Sequence, residues 1–205
     1  IELYLARLDT REDTDEKTEI LRKVAKVFEE ELDDKPQSFD ALMTAFELDY
    51  DNMDTVRYLE RMAQATNRWP ELVQNANRWL QAETQPLPTI TLCLHLAKWY
   101  AEDLGHPEYS QAYYMKVRQL DPNNVAVLRQ MANFHKKGGQ WQQQGQMLQQ
   151  ARDIAVKDTD RKEILTELGE VLEKNVDVDQ GVSFYKQALD VDAYHLAALE
   201  ALDRI

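Results

Sequence analysis

The chain has 205 residues, of which 43% are hydrophobic and 30% charged, and its formal net charge is −13 at pH 7. The apolar content suffices for a core, while the excess of carboxylates argues against nucleic-acid binding, which needs a surplus of Lys and Arg. No apolar run approaches the ~20 residues of a membrane span, so membrane insertion is not expected. The single cysteine, Cys93, excludes an internal disulfide framework. It favours a cytoplasmic over a periplasmic location without fixing either.

The sequence opens inside a helical pattern, ELYLARL, so we expect the chain to be a piece of a longer polypeptide. The acidic stretch TREDTDEKTE then predicts a turn between repeats and the capped start of a helix, where negative charge suits the helix dipole. Residues 1–17 are therefore predicted to form a partial repeat.

From residue 20 onward the helical patterns repeat along the chain. Leu21, Cys93 and Leu165 stand at equivalent positions of three similar stretches, 72 residues apart. A second, unlike pattern has the same offset and makes Trp69 and Trp141 equivalent. Each unit of 72 residues therefore has two halves of roughly 34 to 37 residues, a length typical of helical hairpins that stack on one another.

Three segments close with the same short pattern: a Leu or Val, then Asp, then a helix-breaking or turn-prone residue. They are FELDYDN at 46–52, VRQLDPNN at 117–124 and LDVDAYHL at 189–196. Amphipathic runs that alternate with such breaks predict helix, turn, helix. Each of these Asp residues is predicted to follow the second helix of a hairpin and to begin the turn into the next repeat.

The last hairpin carries the residues of a known repeat family. Its stretch LTELGEVLEKNVDVDQGVSFYKQALDVDA has a Leu-Gly pair at Leu168 and Gly169, a small residue at Gly181, an aromatic residue at Tyr185, and Ala188. In this pattern the chain resembles the tetratricopeptide repeat (TPR) family over nearly its whole length. The resemblance implies an all-α fold, a right-handed α-α superhelix (a TPR-like solenoid) of about five helical hairpins plus partial terminal repeats.

The sequence departs from the family pattern at several places. Ala193 stands where the family has a Pro, which the middle hairpin keeps as Pro122, and Glu60 replaces a small residue after Leu59. An insertion beside Lys98 is expected to lengthen the loop of its hairpin by one residue. These departures affect packing at single hairpins rather than the fold.

We expect one continuous repeat array over residues 1–205. Its predicted segments are a partial repeat at 1–17, hairpins at 18–52, 53–89, 90–124, 125–161 and 162–195, and a partial repeat at 196–205. The partial repeats leave apolar faces uncovered and predict self-association through the ends of the chain. These faces carry Leu3, Leu5, Leu8, Leu199 and Leu202.

Small side chains are expected where the two helices of a hairpin touch, because they let the helix axes approach to roughly 8 to 10 Å. The predicted contact residues are Ala25, Ala97, Ala132 and Gly169 on the first helices and Ser38, Ser110 and Gly181 opposite them. Larger side chains then fill the core around these contacts. The predicted core residues are Phe28, Tyr100, Tyr114, Leu148, Tyr185, Trp69 and Trp141.

The sequence contains no motif that indicates an enzyme. The four histidines lie far apart and lack metal-ligand spacing, so neither a metal nor another cofactor is expected. His135 is predicted to pack half-buried. Cys93 replaces Leu at its repeat position, which favours a buried structural thiol over a nucleophile. We therefore predict no catalytic residue.

A binding surface is implied by the TPR resemblance, in which the first helix of each hairpin lines the concave side of the array. The basic and amide residues that this register places in the groove are Arg57, Arg61, Lys98, Arg129, Asn133, Lys136 and Lys137. Arg129 and Asn133 match positions where carboxylate-clamp members of the family have a basic residue and an Asn. In the next first helix, Thr166 and Glu170 stand where further basic and amide residues would complete the clamp.

These residues have two interpretations. The long cations can solvate a helix face and pair with nearby Glu side chains. Alternatively, they form a groove for an extended or helical acidic segment, in which Arg makes bidentate contacts to carboxylates. The partner would then be a protein or a peptide, and an acidic one would suit the strip.

The function predicted from these features is a non-catalytic scaffold that binds a partner segment in its concave groove. The competing hypothesis is a regulatory or structural repeat appendage of a larger enzyme or multi-domain protein. A third is a spacer whose faces bind nothing.

Overall fold

The computed structural model describes residues 1–205, except for the side chains of Leu5 and Asp9. Within the described chain, every regular element is a helix. The α-helices are α1 (Glu2–Asp9), α2 (Thr14–Glu30), α3 (Lys35–Leu48), α4 (Met53–Thr66), α5 (Trp69–Ala82), α6 (Pro86–Lys98), α7 (Pro107–Leu120), α8 (Val125–Lys137), α9 (Trp141–Ile154), α10 (Asp158–Asn175), α11 (Val178–Val191) and α12 (Leu196–Arg204). None of the described helices is long and apolar enough to cross a bilayer.

The three Leu-Asp or Val-Asp segments end helices as predicted. The last residues of α3, α7 and α11 are Leu48, Leu120 and Val191. In each case the carboxylate of the following Asp accepts a hydrogen bond from the backbone N–H two residues further on, a turn that competes with helix continuation. The N–H groups of Asp51, Asn123 and Tyr194 donate to Asp49, Asp121 and Asp192 at 3.0, 3.3 and 3.0 Å, respectively.

Asp and Asn side chains also cap the starts of several helices. Asp13, Asp34, Asn52 and Asn124 each accept a hydrogen bond from a backbone N–H in the first turn of the helix that follows, at 2.9 to 3.1 Å. Such caps satisfy N–H groups that have no partner within the helix. The sequence therefore sets both ends of several hairpins by short polar side chains.

The chain divides into two compact units, residues 1–113 and 114–205. In the first unit, α2 packs on α3, α3 on α4, α4 on α5 and α5 on α6. In the second unit, α8 packs on α9, α9 on α10, α10 on α11 and α11 on α12. Helix α7 includes the point of division. Each unit is thus a series of antiparallel helices in which neighbours along the chain are neighbours in space.

The predicted small residues lie at helix contacts. Ala25 and Ala97 are fully buried, and the Ser110 hydroxyl donates to the backbone carbonyl of Ala97 at 2.8 Å. In the second unit, a Cβ atom added at Gly181 would lie 2.9 Å from the carbonyl oxygen of Gly169. This distance leaves no room for a side chain, so glycine is required by the approach of α11 to α10.

The prediction that Trp141 lies in the core is wrong. Trp69 is buried, with its indole N–H donating to Gln64 at 2.9 Å, whereas its equivalent Trp141 is 37% exposed. Trp99 packs edge-on against Trp69, with ring centroids 6.2 Å apart. The residue 72 positions after Trp99 is Val171, whose smaller side chain leaves the Trp141 ring partly uncovered. The other predicted core residues are buried or half-buried: Phe28, Tyr100, Tyr114, Leu148 and Tyr185.

The insertion beside Lys98 does not lengthen a loop. Residues Trp99–Asp103 instead form a π-helical turn that continues α6, with the Leu104 N–H donating to the Trp99 carbonyl at 2.9 Å. A π-helical turn accommodates one extra residue within a helix. It places Trp99 in the core, where its indole N–H donates to the Glu60 carboxylate at 2.8 Å.

A buried histidine belongs to the aromatic core of the first unit. The His95 ring stacks on Trp99 at a centroid distance of 5.6 Å and packs edge-on against Phe46. Its Nε2 atom lies 2.8 Å from the carbonyl oxygen of Tyr50, so this nitrogen carries the proton and donates. Burial lowers the pKa of His95 from its ordinary value of 6.5, and the bond to Tyr50 offsets this only in part.

We therefore expect the first unit to lose stability in mild acid. Below pH about 6.5 the unfolded chain binds a proton at His95 that the folded chain does not, so the free energy of unfolding decreases as the pH is lowered. Urea titrations at pH 7.5 and 5.5 should show a larger loss for the wild type than for His95→Phe, which cannot titrate. Equal losses in the two proteins would contradict this role of His95.

Candidate protein-binding groove

Three predicted site residues line one cavity in the second unit. Arg129, Asn133 and Lys136 lie one turn apart on α8, so their side chains share a face of that helix. The cavity has a volume of about 360 Å³, and we call it the α8 groove. It is lined by Ala126, Arg129, Gln130, Asn133 and Lys136 of α8, Gln144 of α9 and Glu167 of α10.

The cations of the α8 groove are already paired. Arg129 contacts Glu163 at 2.6 Å through one terminal nitrogen and Glu167 at 2.5 Å through the other. Lys136 contacts Glu170 at 3.0 Å. Because these three carboxylates lie on α10, the ion pairs join consecutive first helices and leave a wall of mixed charge.

The Arg129 guanidinium is held tightly in this position. Burial alone would lower its pKa, but hydrogen bonds and charges from Glu167 and Glu163 outweigh burial and raise the pKa of Arg129. Its Nε atom is buried and has no hydrogen-bond partner among the described atoms. The side chain therefore keeps one N–H group whose hydrogen-bonding capacity is unused.

A second cavity adjoins the α8 groove and shares Lys136 and Gln144 with it. Its volume is about 190 Å³, and the exposed ring of Trp141 forms part of its wall. Glu170 and Lys174 supply charged groups on the α10 side. The equivalence with Trp69 predicts a core position for Trp141, and the smaller Val171 at the position equivalent to Trp99 is the sequence signal that could have identified Trp141 as exposed.

In the first unit, the predicted residues Arg61 and Lys98 also pair with the preceding first helix. The Arg61 guanidinium donates to both carboxylate oxygens of Glu29, one of them at 2.8 Å. Lys98 donates to Glu60 at 2.6 Å. Arg61 is the largest cause that lowers the pKa of Glu29. These two cations therefore hold neighbouring helices together.

The remaining predicted cations are exposed. Within the part of the chain described, no carboxylate lies at ion-pair distance from Arg57 in the first unit or Lys137 in the second. Four of the six predicted cations thus contact a carboxylate about one repeat away in sequence, and two point into solvent. The pairing of long cations with nearby Glu, one of the two interpretations of the strip, is present at those four positions.

The cysteine and one of the histidines considered in the sequence are packed within the fold. Cys93 is fully buried, and His135 is half-buried with its Nδ1 atom 2.7 Å from the Gln140 amide oxygen. Among the described residues, no group of His, Cys, Asp and Glu is arranged to hold a metal ion.

Two of the solved structures with a similar fold are described as TPR proteins. YrrB, described as a TPR protein with an unusual peptide-binding site, has a TM-score of 0.55 at 14% identity, with 90% of this chain and 91% of that chain covered. A TPR protein of Thermus thermophilus gives a TM-score of 0.52 at 14% identity, covering 90% and 98%. MamA of Desulfovibrio magneticus gives 0.57 at 9% identity, also covering 90% and 98%.

The predicted all-α, TPR-like repeat fold is confirmed by these similarities. The sequence itself matches no protein-family model and no curated protein. Identities of 9 to 14% reflect a shared fold.

Proposed function

We propose that this chain is a non-catalytic protein-interaction scaffold and that the α8 groove binds an extended segment of a partner protein. The observation that carries the proposal is the coincidence of Arg129, Asn133 and Lys136, placed in a groove by the repeat register, with an adjoining cavity walled by Trp141. A fold relative described as having a peptide-binding site supports the same kind of ligand.

The chemistry of the α8 groove suits a peptide backbone. The exposed Asn133 amide can donate to a carbonyl and accept from an N–H of an extended segment. The partly exposed Trp141 ring offers a flat apolar surface of the kind that supplies much of the energy at interfaces. The polar groups would then set the register of the segment, and Trp141 would anchor one of its apolar side chains.

An acidic segment is our preferred ligand, although fewer unpaired cations are available to bind it than the sequence predicts. Lys137 is the exposed cation of α8 that has no ion pair among the described residues, while Arg129 and Lys136 are already bonded to α10. In the first unit, Arg57, Arg61 and Lys98 are proposed to contact a partner as well, with Arg57 the one that needs no ion pair broken. Binding is expected to weaken as salt rises, since the Debye length at 0.1 M is about 10 Å.

The test is selection of peptides from a random library on the whole chain, followed by titration of the selected peptides by fluorescence anisotropy. We expect Trp141→Ala and Asn133→Ala to weaken binding by roughly tenfold or more, because the first removes the apolar anchor of the adjoining cavity and the second a polar contact in the α8 groove. Lys137→Glu should weaken an acidic peptide further. Gln143→Ala, an exposed change on α9 outside both cavities, is the matched control.

Peptides that bind all four variants with the affinity of the wild type would place the binding surface elsewhere. That result would favour the alternative of a structural or regulatory repeat appendage. The ion pairs of Arg61, Lys98, Arg129 and Lys136 are the observation that supports this alternative, because they contribute to packing whether or not a partner binds.

Self-association through the terminal helices stays a proposal. Leu3 on α1 is 74% exposed, and on α12 Leu196 is 66% and Leu199 41% exposed. Leu8 and Leu202 are half-buried, and the side chain of Leu5 lies outside the described residues.

A further inference from the structure

A second surface feature lies in the first unit, at the end of α3 and the start of α6. A cavity of about 330 Å³ is bordered by Leu48 and Leu87, which are 41% and 76% exposed. Tyr50 and Pro88 complete its apolar wall. We call this cavity the Leu48–Leu87 pocket. Two exposed leucines beside one concave surface form an apolar patch, and its exposure to water is unfavourable in free energy.

Every charged side chain that borders the Leu48–Leu87 pocket is acidic. Glu47, Asp49, Asp51 and Glu83 line it, and no Lys or Arg does among the described residues. Within the described chain, none of these four carboxylates has a Lys, Arg or His partner at ion-pair distance. The contrast with the α8 groove is clear, because there each lining Arg or Lys has a Glu partner.

Two of the helix ends at the pocket increase this negative potential, whereas the N-terminal turn of α6, which carries Leu87 and Pro88, opposes it. Helix α3 ends at Leu48 and is followed by Asp49, and helix α5 ends at Ala82 and is followed by Glu83. Neither helix has a basic residue in its last turn. The carbonyl end of a helix carries a partial negative charge that cations stabilise and carboxylates oppose. Two such ends, each followed by a carboxylate, therefore leave the pocket without a compensating cation.

The wall of the pocket is anchored to the core. The carbonyl oxygen of Tyr50 accepts the hydrogen bond from buried His95, and the Tyr50 ring packs edge-on against Phe46 at a centroid distance of 5.3 Å. Burial raises the pKa of Tyr50, and the charges of Glu83 and Glu47 raise it further. The pocket is thus preformed, and a binding segment would not have to order its wall.

We infer that the Leu48–Leu87 pocket is a docking site for a partner-protein segment in which Arg or Lys stands beside a large aliphatic residue. The aliphatic side chain would lie between Leu48 and Leu87, and the cation would face the four carboxylates and the two helix ends. Charge complementarity identifies this occupant, because an acidic or neutral apolar segment would leave the carboxylates uncompensated. The site is separate from the α8 groove and does not depend on it.

The probe is a fluorescein-labelled peptide of Arg-Leu pairs separated by Gly, titrated against the whole chain at 0.1 M salt. Two matched peptides replace every Arg by Glu or every Leu by Ser. We expect the Arg-Leu peptide to bind at least about tenfold more tightly than either, since each replacement removes one of the two complementary features. Backbone amide shifts in an NMR titration should concentrate at residues 47–51 and 83–91.

The variants Leu87→Ser and Asp51→Asn should each weaken binding of the Arg-Leu peptide several-fold. Leu32→Ser and Glu31→Gln are the matched controls, because Leu32 is 57% exposed and Glu31 is an exposed carboxylate outside the pocket. Equal weakening by pocket and control variants, or equal binding of the Arg-Leu and Arg-Ser peptides, would overturn the inference in favour of general attraction to an acidic protein. A change of sedimentation coefficient in Leu87→Ser alone would overturn it in favour of a second copy of this chain.

Discussion

Replacing Ala97 with Trp is expected to lower the free energy of unfolding of the first unit by about 3 kcal/mol or more. Ala97 is completely buried, and the hydrogen bond from Ser110 to its carbonyl fixes α7 against α6 at this point. An indole ring can enter only if the two helices separate, which breaks that bond and opens the surrounding core. Thermal unfolding should show a midpoint lower by roughly 10 °C or more.

The matched control for this change is Gln81→Trp in the same unit. Gln81 is exposed on α5, so the ring remains in solvent and stability should change by less than about 0.5 kcal/mol. Similar melting temperatures for Ala97→Trp and Gln81→Trp would mean that α6 and α7 do not touch at Ala97.

The helix ends could be predicted from the sequence because their cause is local. Asp49, Asp121 and Asp192 each accept a bond from a backbone N–H two residues later, so three neighbouring residues determine the turn. The small contact residues could be predicted for a related reason. An offset of 72 residues repeats the same helix contact, and only a small side chain fits there each time.

The exposure of Trp141 could not be predicted from its own segment. The residue that decides it is Val171, which lies on another helix and takes the place that Trp99 has next to Trp69. The π-helical turn at Trp99–Asp103 has a similar explanation. An extra residue can enter a loop or widen a helix, and burial of Trp99 against Glu60 accompanies the second outcome.

The face of α8 that carries Arg129 and Lys136 could be predicted from the sequence, whereas the ion pairs of these two residues could not. The repeat register placed Arg129 and Lys136 on the cavity side of α8. The register did not identify Glu163, Glu167 and Glu170 as the partners of these cations. A long, flexible side chain can reach several carboxylates on an adjacent helix, and the sequence does not specify which one it contacts. The Leu48–Leu87 pocket was also missed, since its residues come from the ends of three helices rather than from one helix face.

Substituting Gly181 with Ala is expected to destabilise the second unit by about 1 to 3 kcal/mol. The added Cβ would lie 2.8 Å from Glu173 Cβ and 2.9 Å from the carbonyl oxygen of Gly169. A backbone oxygen cannot rotate away as a side chain can, so α11 would have to move off α10. That movement would also disturb the fully buried Tyr185, whose hydroxyl donates to Glu173 at 2.6 Å.

Gly145→Ala in the same unit should have the opposite sign. Gly145 lies inside α9, and the nearest atom to its added Cβ is a Val171 methyl at 3.8 Å, an ordinary contact. Replacing Gly by Ala in a helix interior stabilises it by about 0.5 to 1 kcal/mol, because the unfolded chain loses freedom. Urea unfolding of both variants measures the two effects with the same pair of residue types. If Gly181→Ala were as stable as Gly145→Ala, the contact of α10 with α11 at Gly169 and Gly181 would have to be looser than described, and the reason for small residues at this repeat position would fail with it.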